Sequence, residues 1–303
     1  MKILGIETSC DECAAAVVED GKKVLSNIIA TQIPFHKPFN GVVPEIASRK
    51  HTEWIYDVVK EALDKAHLNP KDIDAVAVTN RPGLLGSLIV GLSFAKAFAW
   101  AKNIPLIAVD HMLAHLYASQ LNTDTPSSNS NEALAYPFLG LLVSGGHSII
   151  CRADAFDKIT VLGATIDDAA GEAFDKVAKH YKFGYPGGLV IDQMAQNGDS
   201  GAFRFPMPSL HKGPLPRGSE HRCDVSYSGL KNAVINQLDL FRVKKDASPE
   251  DIAASFQKTA VEILLRALLN ASQDSGLTTI AAGGGVAANS YLRSRLAEQK
   301  ELH

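Results

Sequence analysis

Four cysteines in 303 residues are too few for a disulfide framework. Small secreted scaffolds use many more, so Cys10, Cys13, Cys151 and Cys223 predict a reduced, cytoplasmic protein. A large excess of either charge is also missing. Thirty basic residues against 33 acidic ones leave a net charge of -3, which excludes a globally basic nucleic-acid binder but not a local basic patch. Long apolar runs are short of membrane length. The longest uncharged, mostly apolar stretch runs from Pro82 to Ala95 between Arg81 and Lys96, whereas a span needs about 20 residues. No membrane association is therefore expected. Glu7 and Asp11 break up any signal-peptide core at the N-terminus. What the chain does have is apolar content, 46%, enough for sizeable cores. Its length suggests two domains at about 150 residues each.

The opening residues read as a three-stranded meander. Lys2–Ser9 is the first segment, a small polar turn follows, Ala14–Val18 is the return strand, Asp20-Gly21 a hairpin signal, and Lys23–Ala30 a third strand. The pattern recurs at Phe138–Ser144, the Gly145-Gly146-His147 turn and Ser148–Cys151. Gly5 and Gly140, like Ser9 and Ser144, stand 135 residues apart. Helical spacing follows each meander. Ile55, Val58, Val59, Ala62, Leu63 and Ala66 form one apolar face. A second helix runs from a Ser248 N-cap with Pro249 at its first position to a Gly276 stop. Strands are expected at Ala75–Thr79, Pro105–Val109 and Thr278–Ala282. The polar stretch Leu121–Asn131 reads as a linker. The resulting division is residues 1–134 and 135–303, two duplicated α/β lobes around a nucleotide cleft. Small-residue turns let phosphate approach backbone N–H groups. This organisation resembles the actin, sugar-kinase and Hsp70 (ASKHA, ribonuclease H-like) superfamily.

Several groups could carry chemistry. His111 and His115, at i and i+4, face one way on a helix and could share a metal ion; a packed or surface pair is the alternative. They do not make a zincin, because Met112 stands where that motif needs Glu. Asp168, Glu172 and Asp175 fall on one helical face, either solvated or turned towards donors such as ribose hydroxyls. Tyr185-Pro186-Gly187-Gly188 reads as a turn, with Asp192 four residues beyond. Gly283–Asn289 follows a strand and precedes a helix, with Asn289 as a polar reader of base or phosphate. Cys10 and Cys13 lack the second pair of a zinc site, which leaves Asp11 and Glu12 as the chemical residues of the first turn.

Taken together and in order, these blocks are similar to one family. The segments are Gly5–Glu12, Gly41–Arg49, His111–His115, Leu142–His147, Asp167–Lys176, Tyr185–Gly188, Ser226–Lys231 and Gly283–Asn289. They resemble the bacterial tRNA N6-adenosine threonylcarbamoyltransferase (TsaD) family along the whole chain. The resemblance implies transfer of threonylcarbamoyl from threonylcarbamoyl-AMP to N6 of the adenosine beside the anticodon (position 37), in tRNAs reading codons that begin with A. It implies one divalent metal, iron in preference to zinc, on His111 and His115. It maps adenylate contacts onto Leu142, Val143, Ser144, Gly145, Gly146, Asp175, Gly188, Asp192 and Asn289, and the acids of the first turn onto Asp11 and Glu12. Implied partners are tRNA, TsaB, TsaE-like proteins and a synthase that makes threonylcarbamoyl-AMP. Family members carry a further Cys-Thr-Asp-Asn-Gly-like block whose Asp is a third metal ligand; it is not found in these 303 residues. Arg81 and Leu189 replace the small residue and the Pro usual at their positions. Within the mechanism, the Ser144–Gly146 turn would hold phosphate oxygens, and Asp11 or Glu12 would take the amine proton. Lys212, Arg217, His221, Arg222 and Lys231 form a candidate tRNA patch. A sugar kinase of the same superfamily, a metalloprotease and a nucleotide-gated scaffold are the rival readings.

Overall fold

A computed structural model describes residues 1–121, 134–208, 215–236, 248–299 and 302. The expected linker after Leu121 lies outside them. The chain divides into two compact units, Met1–Ala133 and Leu134–His303.

The first unit is built on a five-stranded sheet in the order β3-β2-β1-β4-β5. The meander is β1 (Lys2–Glu7), β2 (Glu12–Glu19) and β3 (Lys23–Thr31). Asp20 and Gly21 both take positive φ, 52° and 70°, the left-handed pair a tight hairpin requires. Helix α1 (Pro44–Lys65) then carries the chain to β4 (Ala75–Arg81), which lies parallel to β1. It buries Ala47, His51, Ile55, Val58, Val59, Ala62 and Leu63 on one face. The helix begins well before Ile55, with Pro44 at its first position; the apolar count misses these turns, where the polar His51 takes a core position. Helix α2 (Leu85–Lys102), β5 (Leu106–Asp110) and α3 (His111–Tyr117) complete the unit. By length and composition α2 could cross a membrane. It carries Lys96, and it buries a stripe of Ser87, Gly91, Ala95 and Ala99. Small residues there let it lie close to its neighbours: a Cβ on Gly91 would sit 2.3 Å from Thr8 Oγ1.

The second unit repeats the design with four strands, β8-β7-β6-β9. These are β6 (Phe138–Val143), β7 (Ser148–Ala155), β8 (Lys158–Ala164) and β9 (Ile280–Gly283). β6 and β7 are antiparallel, and β6 and β9 are parallel. The repeat extends to register: Gly5 pairs with Ala16, and Gly140 with Cys151. Six consecutive buried residues make β6 a central strand. The helices are α4 (Ala170–Tyr181), α5 (Gly187–Ala195), α6 (Ser228–Asn236), α7 (Pro249–Ser275) and α8 (Ser290–Ala297). Ser248 caps α7 by accepting the Asp251 N–H at 3.1 Å, and Gly276 ends it at φ 70°. Phe174 of α4 meets Phe256 of α7 edge to face, centroids 4.9 Å apart, in the core of this unit.

Two local expectations change. Asp168 precedes α4 and does not share a helical face with Glu172 and Asp175. Tyr185-Pro186-Gly187-Gly188 is half turn and half helix, since α5 starts at Gly187; Asp192 therefore sits one helical turn beyond Gly188.

Candidate functional site

In the first unit, Asp110 ends β5 and caps α3, accepting the Met112 and Leu113 N–H groups at 2.9 and 3.3 Å. The cap fixes the start of the short helix and with it both histidines. His111 Nε2 and His115 Nε2 lie 3.2 Å apart. On its other side, His111 Nδ1 meets Ser9 Oγ at 3.2 Å and Glu7 Oε2 at 3.3 Å. Glu7 also accepts from the Ser9 N–H and the Thr79 hydroxyl. Burial alone would raise the Glu7 carboxyl. Hydrogen bonds from His111, Ser9 and Thr79 outweigh that and hold it at about 2. Glu7 in turn pushes His111 upward, against the effect of burial.

In the neutral His111 ring, a proton held on Nδ1 by the anionic Glu7 leaves Nε2 with its lone pair. Carboxylate–histidine pairs orient metal-ligating imidazoles in this way. The two converging nitrogens therefore fit the metal the resemblance implies, as two nitrogen ligands suited to iron or zinc. Among the described residues, no group of three or more His, Cys, Asp or Glu side chains is placed to hold a metal. Sequence reasoning missed the orienting role of Glu7. The available signal was a carboxylate directly after the apolar run Ile3–Ile6 of β1.

Asp11 and Glu12 stand at the mouth of the same hairpin turn. Burial, then the adjacent Asp11 carboxylate, raises Glu12 to about 7, with His111 acting in the opposite sense. Arg81 reaches Asp110 at 3.4 Å while staying largely exposed.

The second unit contains a cavity of about 250 Å³. Gly145, Asp175, Gly188, Asp192 and Asn289 all line it, five of the nine residues that the resemblance assigns to the adenylate. Leu142 and Val143 have buried side chains in the β6 core. Ser144 lies at the strand end, where its N–H donates to the His147 carbonyl and its Oγ accepts the His147 N–H. Gly145 and Gly146 are exposed.

Glycines bring the walls together. A Cβ on Gly187 would lie 2.7 Å from both Asp175 Cα and Phe174 O, and one on Gly171 2.6 Å from Ser144 O. The Gly187 N–H also donates to Asp175 Oδ1 at 2.8 Å, so α4 and α5 are locked where both reach the cavity. Asp192 accepts from Ser290 N and Oγ at 3.0 and 2.7 Å, and from Asn289 Nδ2 at 3.2 Å. Asn289 Nδ2 also donates to the buried Gln257 Oε1 at 3.2 Å, and Asn289 Oδ1 caps α8 by accepting the Leu292 N–H. The Asn289 amide is thus committed inside the wall. Sequence reasoning saw it only as a reader, and Gln257 was missed because its partner lies 32 positions away.

The acidic segment is mostly neutralised from within. Asp168 pairs with Lys176 at 2.6 Å and Lys231 at 2.7 Å, and Glu172 pairs with Lys176 at 2.7 Å. Of the candidate basic patch, Lys231 is held by Asp168, Arg222 by Asp274, and His221 by Asp224. Arg217 stays exposed, and Lys212 lies outside the described residues.

Comparison with known proteins decides between the rival readings. Residues 23–303 match the family model TsaD, tRNA N6-adenosine threonylcarbamoyltransferase. The chain belongs to this family. A tRNA N6-adenosine threonylcarbamoyltransferase of Treponema denticola is 66% identical over 303 residues, all of this chain and 85% of the relative. One from Borreliella burgdorferi is 49% identical over 301 residues, 99% of this chain and 82% of the relative. Two solved structures share the fold at 13% identity. Component A of the Acidaminococcus fermentans (R)-2-hydroxyglutaryl-CoA dehydratase has a TM-score of 0.54, covering 100% of this chain and 90% of its own. Full-length HypF in its phosphate- and nucleotide-bound form has a TM-score of 0.59, covering 98% of this chain and 50% of its own. The TsaD-family chain is thus a tRNA-modifying transferase on a two-sheet α/β fold shared with both solved structures.

Proposed function

We propose that the enzyme transfers threonylcarbamoyl from threonylcarbamoyl-AMP to N6 of adenosine 37 in tRNAs reading codons that begin with A. The observation that carries this reading is the convergence of Gly145, Asp175, Gly188, Asp192 and Asn289 on one cavity. Its volume is below the roughly 300–1,000 Å³ of pockets that enclose a drug-sized ligand, which suits the nucleoside end of an adenylate. Asp175 and Asp192 offer acceptors for ribose hydroxyls. Apolar Phe174, Val286 and Ala288 line the same space and suit a base. The exposed Gly145 and Gly146 can bring N–H groups against the phosphate.

In the transfer, N6 of adenosine attacks the carbamoyl carbon. The bond from that carbon to the phosphate oxygen breaks, and AMP leaves with the electron pair. Asp11 or Glu12 accepts the amine proton; Glu12, with its affinity near neutrality, matches that task. His111 and His115 would hold the divalent metal, iron in preference to zinc, which when bound supplies Lewis-acid stabilisation of developing negative charge. Glu7 and Ser9 hold the His111 ring in place. No Ser/His/Asp triad is needed, because the donor arrives activated.

We place the reaction in the cytoplasm, with TsaB, TsaE-like proteins and a threonylcarbamoyl-AMP synthase as partners. All four cysteines are free thiols, which supports a reduced compartment. The test incubates the full-length protein with those partners, threonylcarbamoyl-AMP and unmodified tRNA, then analyses the nucleosides by mass. Threonylcarbamoyladenosine at position 37 is the expected product. Its absence from a fully assembled, metal-loaded mixture would overturn the reading.

A further inference from the structure

The first hairpin turn is held by an unusual number of separate segments. Thr8 Oγ1 donates to the Ser87 carbonyl of α2 at 2.8 Å. The Ser9 carbonyl accepts the Leu84 N–H at 2.8 Å, at the start of α2. The Cys10 carbonyl accepts His51 Nε2–H of α1 at 2.9 Å. The Asp11 carbonyl accepts the Gln32 N–H, just after β3, at 3.0 Å. Three consecutive carbonyls are therefore fixed by three different elements. The donors to Ser9 and Asp11 are backbone groups, which most substitutions leave in place. The donor to Cys10 is a side chain, completely buried, inside the core-facing stripe of α1.

His51 is also chemically committed. A carbonyl can only accept, so Nε2 must carry the proton. Nδ1 is buried and has no partner among the described residues, so the bond to Cys10 sets the ring's orientation and tautomer. A buried imidazole with an orphaned nitrogen is an expensive way to fill a helix position that Leu or Ile would suit. Its neighbours show how closely the turn is packed: a Cβ on Gly83 would lie 2.6 Å from Ser9 O, and one on Gly86 2.2 Å from Ser48 Oγ.

We propose that His51 is a positioning residue for transfer: by holding the Cys10 carbonyl it sets the backbone from which Asp11 and Glu12 present their carboxylates to the adenosine amine. This rests on the reading of those two acids given above. Through the turn, His51 acts on the proton-accepting groups and touches no substrate. Its loss should lower kcat and leave KM for threonylcarbamoyl-AMP unchanged, because the cavity residues belong to the second unit.

The experiment compares His51→Phe, His51→Gln, Asp11→Asn and Glu12→Gln in the full-length protein with its partners, measuring kcat and KM at a temperature where each variant is folded. Phe keeps a ring without a donor. Gln places an amide N–H close to the position of imidazole Nε2–H. His51→Phe is expected to lose about 10- to 100-fold in kcat, the range produced by misplacing a reacting group by an ångström or less. His51→Gln should recover most of that loss. Full turnover in His51→Phe, or no recovery in a folded His51→Gln, overturns the positioning role. Full turnover in both acid variants overturns the catalytic reading of the turn, and the inference with it. Loss in an acid variant with full turnover in His51→Phe removes only the role of His51. If the Phe variant does not fold, the wild-type ring supplies the second measurement. Long-range proton–nitrogen NMR should show His51 neutral with its proton on Nε2, and an Nδ1–H tautomer would refute the bond.

Discussion

Gly187 and Gly188 are adjacent, start the same helix and face different surroundings, so one methyl group added at each separates fold from ligand space. At Gly187 the new Cβ would meet Asp175 Cα and Phe174 O at 2.7 Å and Ala178 Cβ at 2.8 Å. Two of these atoms are backbone, and no rotamer change relieves them. Gly187→Ala must push α5 away from α4, and overpacking of this kind costs about 1–3 kcal/mol. At Gly188 no atom of the described residues lies within 4 Å of the added Cβ. Gly188→Ala should therefore keep stability, or gain up to about 1 kcal/mol from better helix propensity. Yet Gly188 lines the cavity, so its methyl group should weaken binding of the adenylate by about 10-fold, which is about 1.4 kcal/mol. Urea unfolding measures the first quantity and calorimetric titration with threonylcarbamoyl-AMP the second. Equal destabilisation by both substitutions would refute the packing argument. Unchanged affinity in Gly188→Ala would refute the assignment of the cavity.

Three further outcomes are expected. Hydrogen bonds from Lys176 and Lys231 hold Asp168 at about 2 despite its burial. Its lowered affinity stabilises the fold above its unfolded value near 3.8 and is lost as pH falls through about 2. Asp168→Ala should therefore lower stability at pH 7 by about 2 kcal/mol and make little difference at pH 2, as urea midpoints at the two pH values would show; an equal deficit at both would contradict the linkage. For Glu12, raised to about 7, the proton-accepting form appears as pH rises through neutrality. The tRNA kcat/KM should rise across that range in the wild type and lose the rise in Glu12→Gln, and a profile unaltered by the substitution would assign the proton elsewhere. His111→Ala should release the metal and abolish transfer in the full-length protein, and elemental analysis showing retained metal would remove His111 as a ligand.

Much of the fold was legible because its signals are local. Asp20-Gly21, the Ser248 cap and the Gly276 stop each depend on a few neighbouring residues, and each element formed where these mark it; the repeat of Gly5 at Gly140 was legible because the same short strand-and-turn pattern recurs. The start of α1 was not legible, since a buried His51 interrupts the apolar count that marks the helix. The candidate site divides in the same way. The histidine pair and the glycine-rich turns stand out as motifs. The groups that orient them do not, because Glu7 and His111 are 104 positions apart and Asn289 and Gln257 are 32 apart. Charge patterning misled for a related reason. Asp168 and Lys231 look like separate acidic and basic surfaces until the chain brings them to 2.7 Å.

The measurement that bears most directly on the central claim is a single turnover with threonylcarbamoyl-AMP labelled at the carbamoyl carbon and unmodified tRNA, following label and AMP together. The account predicts one AMP released for each labelled nucleoside formed, with both reduced in Gly188→Ala. Release of AMP without label in the tRNA, or label transferred as efficiently by Gly188→Ala as by the wild type, would contradict it.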